Sequence, residues 1–237
     1  MPTGSGTGTR AAPPYPVTAG ELIAEIRAAL DDVAEEVWTD AELLGFLGEA
    51  VREYSVHLPR VTEAALAVVG GERRYALPWD AIGVIGVEYP SDEESPSYIY
   101  RRSYKSRGFA AGRYYDVLPA HDLTAAPALL LGFEPEAGEA ITVRYLHPHS
   151  SDLAAEDYLT VPAVHHHVLL QYLLFAAARR LQSREQAAPT NNSSLLMGQL
   201  ASNTRRLELA YLNALNRILY QRLGEGEMVA WELGIRN

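Results

Sequence analysis

Residues 168–178 form a run that is apolar in nearly every helical direction, and this run limits how the chain can fold. An ordinary surface helix keeps one polar face, because its apolar residues recur every three or four positions. Here only Gln171 interrupts the apolar side chains. The run is also well short of the roughly 18 residues that mark a membrane span. We therefore expect a helix at the centre of a bundle, or one shared between a bundle and a neighbouring subunit.

Two earlier helices are predicted by their start signals. Residues 18–21 (TAGE) and 39–42 (TDAE) are capping boxes, in which the Thr hydroxyl and the Glu carboxylate each satisfy a free backbone N–H. The apolar stripe of the first helix extends to Val33, and the second helix ends before Pro59. A third helix is predicted over about residues 162–184. A fourth runs from Ser193 or Ser194 to about residue 223, where Gly224 ends it.

Between the helical halves, from about residue 61 to residue 150, short β-rich runs alternate with turn residues. Gly70-Gly71 predicts a hairpin turn, since glycine adopts positive φ without penalty. The predicted fold class is α+β, a bundle of about four helices with a β-rich insertion between helices two and three. The predicted parts are an arm (1–17), the first half of the bundle (18–60), the β-rich insertion (61–150), the second half of the bundle (151–224) and a docking tail (225–237).

Composition excludes several classes of protein. Thirty acidic and 20 basic residues give a formal net charge of -10, which argues against a surface built throughout to bind phosphates. The chain has no cysteine, so disulfides, thiolate metal sites and cysteine nucleophiles are excluded. The arm has no apolar core of the kind that a signal peptide needs, which makes folding inside the cell the simplest expectation.

Three consecutive histidines, His165, His166 and His167, precede the apolar run and raise the question of a metal site. Successive helical residues are separated by about 100°, so these three cannot all face one ion. Their neighbours at i+3 and i+4 are not usual ligands. His147 and His149 share a face if that segment is extended, and could join one of the three. A metal-dependent hydrolase that uses this cluster is the alternative from a different functional class.

A second candidate site is basic and aromatic. Five cations lie within 13 positions without an intervening acidic residue, namely Arg101, Arg102, Lys105, Arg107 and Arg113. Tyrosines are interleaved with them, so cations for phosphates and rings for stacking are both available to DNA or an acidic partner. The alternative is a hairpin with solvated arginines on one face and packed tyrosines on the other. No motif for a catalytic serine, a P-loop or a dinucleotide site is present, so no catalytic residue, metal ligand or cofactor is assigned.

The order of these parts resembles the bacteriophage head-to-tail adaptor family, also called head-tail connector or head completion proteins. The resemblance is carried by the start of the second helix (WTDAEL), by the predicted hairpin with its YALPWD strand end, and by VPAVHHHVLLQYLLF, where a proline opens the apolar helix. It covers about residues 18–223.

The resemblance implies a noncatalytic virion protein of the neck, made in the host cytoplasm. Such proteins form a ring, commonly dodecameric, that binds the portal on one side and a stopper or tail protein on the other. Viral double-stranded DNA passes through the ring without sequence-specific contacts. The resemblance also assigns portal docking to five apolar residues of the tail: Met228, Val229, Trp231, Leu233 and Ile235. Another neck or tail ring protein, a stopper or a terminator, is the nearest alternative.

Overall fold

The computed structural model describes residues 17–32, 37–91, 97–119, 126–187 and 193–224. These residues contain four α-helices and seven β-strands, so the predicted α+β class is confirmed. The helices are α1 (Ala19–Leu30), α2 (Asp40–His57), α3 (His166–Ala187) and α4 (Ser193–Gly224). The strands, all between α2 and α3 in the sequence, are β1 (Arg60–Ala67), β2 (Arg74–Ala76), β3 (Gly83–Glu88), β4 (Tyr98–Arg101), β5 (Tyr114–Leu118), β6 (Ala128–Leu131) and β7 (Ala140–His147).

The chain divides into two compact units. The helical unit comprises the described residues within Met1–Tyr54 and Ser150–Gln221, and the sheet unit comprises those within Ser55–His149 and Arg222–Asn237. The helical unit is built on α1, most of α2, α3 and α4, whereas the sheet unit holds all seven strands. The predicted arm and the predicted docking tail lie outside the described residues, apart from Val17.

Both predicted capping boxes are confirmed. At the start of α1 the backbone N–H of Thr18 donates to the Glu21 carboxylate over 2.8 Å, and the N–H of Glu21 donates to the Thr18 hydroxyl over 3.2 Å. Thr39 and Glu42 repeat the exchange at α2, over 3.2 and 3.3 Å. The helix α1 ends at Leu30, and Asp31 caps it with a left-handed φ of 57°. Val33, the last residue of the predicted stripe, lies outside the described residues.

Buried charges hold the segment between α1 and α2. Arg27, which is 7% exposed, donates to the carbonyl oxygen of Trp38 over 2.9 Å and to the Asp40 carboxylate over 2.6 Å. It also contacts the buried carboxylate of Asp32 at 3.3 Å. Asp32 in turn accepts the backbone N–H groups of Val37 and Trp38, each over 3.0 Å. The guanidinium and the carboxylate therefore satisfy each other and the polar backbone around them.

The helix α3 has no exposed residue between positions 168 and 178, as the sequence predicts. Its fully buried side chains in this stretch are Val168, Leu169, Leu173, Ala176 and Ala177, and the others, Gln171 included, are half-buried. The helix α4 presents a regular buried stripe to the helical unit: Thr204, Tyr211, Leu215 and Ile218. Tyr172 of α3 meets Tyr211 of α4 edge-on, with ring centroids 5.2 Å apart.

The strands form one sheet in the order β1-β7-β3-β4-β5-β6-β2. The strand β4 joins its two halves, because Tyr98 and Ile99 pair with β3 whereas Tyr100 and Arg101 pair with β5. Twelve buried residues from both halves form the core of the sheet, among them Val87, Leu129, Ile141 and Val143, which are almost completely inaccessible to solvent. All neighbouring strands are antiparallel except β4 and β5, which are parallel.

The predicted hairpin at Gly70-Gly71 is wrong. A tight turn does occur there, with Gly71 at φ 83° and the N–H of Glu72 bonded to the carbonyl of Val69 over 3.1 Å. However, β1 and β2 lie at opposite ends of the sheet, and β2 pairs with β6. Nor do β2 and β3 pair with each other. Turn residues fix the local backbone, whereas pairing depends on side chains that are distant in sequence.

The short link between β1 and β2 requires the sheet to curl. A flat seven-stranded sheet would separate its edge strands by about 29 Å, at ~4.8 Å per strand. The Cα steps from the end of β1 to the start of β2 span only about 24 Å when fully extended. The two ends of the sheet are therefore brought towards each other, and the sheet is curved.

We expect Arg27→Met to lower the free energy of unfolding by about 3–5 kcal/mol, because it leaves the Asp32 carboxylate buried without its cation. Urea denaturation at pH 7 measures the loss. Arg205→Met makes the same substitution at an exposed position of α4 and should stay within about 0.5 kcal/mol of the parent. Equal losses in the two variants would contradict a structural role for the Arg27 cluster.

The capping box of α2 predicts a pH-dependent contribution to stability. The backbone N–H of Thr39, and to a smaller degree the Arg184 guanidinium, hold the pKa of Glu42 below 4.5. A lowered pKa in the folded state stabilises the protein above the unfolded pKa, and this stabilisation is lost as the pH falls through the folded pKa. Glu42→Gln should therefore be less stable than the parent at pH 7, with a difference that shrinks on acidification. Glu25→Gln, an exposed change of equal charge on α1 outside the capping boxes, is the matched control, and equal losses of stability in the two variants at pH 7 would contradict the contribution of the capping box.

Candidate interaction surfaces

The predicted basic segment forms the connection between β4 and β5, which we call the basic loop (residues 101–113). Because β4 and β5 are parallel, the chain must cross from the end of one strand to the start of the other. The segment is therefore not the hairpin considered as an alternative. The loop is well anchored: the ring of Phe109 is buried, and the N–H of Arg102 bonds the carbonyl of Tyr115 over 2.8 Å.

The backbone at Gly132 packs directly against the backbone of the basic loop. A Cβ atom at this position would lie 2.2 Å from the carbonyl oxygen of Phe109 and 3.0 Å from that of Gly112. Only glycine allows β6 to approach the loop so closely. The loop is thus a packed part of the sheet unit.

Two of the five cations are held by the loop and its surroundings. Arg102 is half-buried, donates to Ser106 over 3.0 Å and to the carbonyl of Arg107 over 2.7 Å, and lies 4.8 Å above the Tyr114 ring. Arg113 stacks at 5.3 Å from the centre of the Tyr89 ring. These contacts restrict the arginine side chains, because a cation above an aromatic ring is attracted by the quadrupole of that ring.

The other three cations are exposed, as Arg113 also is despite its ring contact. Arg101 lies 3.6 Å from the buried carboxylate of Asp116, which also accepts the N–H of Tyr104 over 2.9 Å. Lys105 lies 5.6 Å from the Tyr104 ring, and Arg107 is exposed. Three tyrosines around them are also exposed, Tyr98 by 52%, Tyr100 by 76% and Tyr104 by 47%. Exposed rings and cations therefore occur together on this surface, and the packed tyrosines expected for the alternative are only partly found.

The histidines have separate local partners. His165 Nδ1 lies 2.5 Å from the hydroxyl of Tyr54, His166 Nε2 lies 3.0 Å from the carbonyl oxygen of Val161, and His167 Nδ1 is 3.0 Å from that of Val164. In the sheet unit, His147 pairs with Asp80 at 2.7 Å, and His149 Nε2 lies 3.1 Å from the carbonyl oxygen of Leu58. No group of three or more His, Asp or Glu residues suited to one metal ion occurs in the described part of the chain.

The helical unit has a groove between α2 and α3. Its floor is aromatic, from Phe46, Tyr172 and Phe175, and its rim carries both charge signs, from Glu42, Glu49, Arg179 and Arg180. Burial raises the pKa of the Tyr172 hydroxyl, and the negative charges of Glu49 and Glu53 raise it further. Arg184 contacts Glu42, which lines the groove, and stacks on Trp38 at 4.6 Å.

Sequence reasoning missed one exposed apolar patch in the sheet unit. Trp79 is 84% exposed and Ile82 is 57% exposed, on the connection between β2 and β3. Their position in PWDAI, a turn-forming segment with two large apolar residues, is the signal that could have identified it.

The five tail residues assigned to portal docking, Met228, Val229, Trp231, Leu233 and Ile235, lie outside the described residues. Among the described helices, none combines the length and the apolar character that crossing a membrane requires.

No curated protein sequence matches the chain. Among solved structures, it is similar to a chain in the neck of a native GTA particle computed with C12 symmetry. The two are 14% identical, with 81% of this chain and 93% of that chain covered, and the TM-score of 0.28 is too low to support any inference. The model of the SU10 adaptor protein family matches residues 17–223. The chain therefore belongs to the SU10 adaptor protein family, which confirms its resemblance to head-to-tail adaptors.

Proposed function

We propose that this protein is a noncatalytic ring subunit of the bacteriophage neck, which joins the portal vertex to the tail and extends the DNA channel. The match of an adaptor family model to residues 17–223 carries this proposal, and it favours an adaptor over a stopper or a terminator. The partners are the portal protein, a stopper or tail protein, and further copies of this chain in a ring, most simply a dodecamer. The protein is made in the host cytoplasm and resides in the virion.

The helical unit has surfaces suited to contacts between subunits. On α3, the residues Leu170, Tyr172, Leu174 and Phe175 are only half-buried in the single chain. Two of them line the α2–α3 groove, whose aromatic floor and mixed-charge rim resemble a protein interface more than a small-molecule site. A closed ring needs two different complementary faces on each subunit, and a groove supplies one of them.

An acidic chain with one local group of cations suits the lining of a DNA channel. A formal net charge of -10 prevents tight general binding of DNA, which has to move through the ring. The basic loop then supplies a local contact for phosphates, through Arg101, Lys105 and Arg107 at its surface, with Arg102 and Arg113 ordering it. The hydroxyls of the exposed tyrosines beside them add hydrogen-bond donors for phosphates.

Electron microscopy of the purified protein mixed with purified portal rings tests the proposed function. We expect a ring of this protein, coaxial with the portal, at one face of the portal. A portal of an unrelated phage serves as the control for nonspecific adhesion. Purified protein that adds no density to its portal at saturating concentration would refute the adaptor role.

The basic loop is tested by the salt dependence of binding to double-stranded DNA. Changing Arg101, Lys105 and Arg107 together to Gln should weaken binding and reduce the slope of log K against log salt by about 0.9 for each phosphate that the variant no longer neutralises. The matched control changes Arg205, Arg206 and Arg217, which are exposed on α4, to Gln. Fluorescence anisotropy with a labelled duplex measures both variants. Equal effects of the two triple changes would show that net charge, and not the basic loop, governs the binding of DNA.

A further inference from the structure

The strand β1 forms a long open edge of the sheet. All eight of its residues pair with β7 on one side, from Arg60 with His147 to Ala67 with Ala140. On its other side, none of the described strands pairs with it, because β1 is the first strand of the sheet order. The opposite edge, β2, has only three residues. In a strand, successive backbone N–H and C=O groups point alternately to the two sides, so β1 presents a row of hydrogen-bonding groups to an incoming chain.

The strand β1 lacks the prolines, lysines and bulges that commonly protect edge strands from pairing with other chains. Its sequence, RVTEAALA, has no proline and no lysine, and its register with β7 continues without a bulge. By contrast, the register between β3 and β7 shifts at residues 84–86. Proteins usually block a long edge with prolines, bulges or inward charges, because such an edge is a template for another strand. An unprotected edge of eight residues therefore points to a binding function.

The core of the sheet is incompletely covered beside β1. The residues of β1 that point towards the core alternate with exposed ones, and those at positions 62, 64 and 66 are only half-buried. On the neighbouring strand β7, the inward residues Ile141 and Val143 are fully buried. Ala64 and Leu66 pack against the buried core cluster from its margin. One further strand with apolar inward side chains would complete the cover.

The sequence of this chain contains a segment with that pattern. Residues 228–235 are MVAWELGI, and from Val229 onwards they alternate with a period of two. The large apolar residues Val229, Trp231, Leu233 and Ile235 occupy every second position, and the three residues between them are Ala230, Glu232 and Gly234. Alternation over seven residues, with β-branched and aromatic side chains, is typical of a strand with one buried face. The segment also has the same length as β1.

We propose that residues 228–235 of one copy add as a strand to the open edge of β1 in a second copy. The inference rests on the proposed ring and names a contact that would connect its subunits. The donor segment and the acceptor edge are different parts of one chain, so the contact is heterologous, as closure of a ring requires. Backbone hydrogen bonds supply affinity, and the alternate apolar side chains cover Ala64 and Leu66. The receptor of the tail is thus a second adaptor subunit, and the portal is the competing receptor.

Backbone methylation tests this contact directly. A fluorescent peptide of residues 225–237 is titrated onto a variant of the chain that ends at residue 224, whose fold is checked by circular dichroism. We expect saturable binding. Two further peptides carry N-methyl groups at residues 229, 231 and 233, or at residues 230, 232 and 234. Only one of these sets faces β1 in an added strand, so one peptide should lose at least tenfold in affinity and the other should bind as the parent does. Equal binding by both methylated peptides would overturn strand addition.

Side-chain variants of the full chain test which face of residues 228–235 packs on β1, and whether the tail that occupies β1 belongs to another copy. Leu233→Asn changes the apolar face and should weaken self-association at least tenfold, as measured by sedimentation velocity over a concentration series. Glu232→Asn changes the adjacent residue on the opposite face and should leave self-association unchanged. A full-length chain that stays monomeric while its truncated variant binds the peptide would show that the tail covers its own β1, and would overturn the intermolecular contact.

Portal binding separates this inference from the proposed function. If Leu233→Asn abolishes binding to portal rings and leaves self-association intact, the tail docks on the portal and the inference fails, whereas the adaptor role stands. If the full chain binds no portal while the peptide binds β1, the adaptor role fails and the contact stands. Because the peptide assay contains no portal, the two results are independent.

Discussion

The helical unit depends on one constraint: the apolar side chains of α3 must be shielded from water on every side of the helix. Between residues 168 and 178 no side chain of this helix is exposed, although the residues there point in every direction around its axis. The unit meets this demand with several kinds of contact. Tyr54 of α2 meets His165 at the start of α3, and Tyr211 of α4 packs edge-on against Tyr172. Near its end, Arg184 of α3 contacts Glu42 and covers Trp38.

This packing also explains why the link between α1 and α2 contains buried charge. The segment that carries Trp38 and Thr39 must be held against α3 although α1 has already ended at Asp31. Arg27 and Asp32 hold this segment through backbone atoms, from the Trp38 carbonyl to the N–H groups of Val37 and Trp38. Because these side chains bond to backbone atoms, they fix the position of the segment whatever side chains that segment carries. One buried ion pair therefore positions both the start of α2 and an aromatic ring against α3.

The sequence predicts the parts of this structure whose causes are local. Capping boxes and periodicities of three to four residues lie within one helix, so all four helices and their apolar stripes are found close to the expected positions. Pairing of strands is not local, and Gly70-Gly71 forms its turn without joining paired strands. The same limit applies to the basic loop. Its cations could be counted from the sequence, but the partners of Arg102 and Arg113 depend on a parallel pairing of β4 and β5 that no nearby residue specifies.

The open edge of β1 and the net charge of the chain are best understood together. An unprotected strand of eight residues invites uncontrolled association, which for most proteins leads to aggregation. A formal charge of -10 opposes this, because copies repel one another until specific contacts overcome the repulsion. Backbone hydrogen bonds of an added strand are short-ranged and nearly independent of salt, whereas repulsion between exposed charges is screened within about 10 Å at 0.1 M salt. The two effects together favour an edge that pairs through one specific contact over an edge that associates indiscriminately.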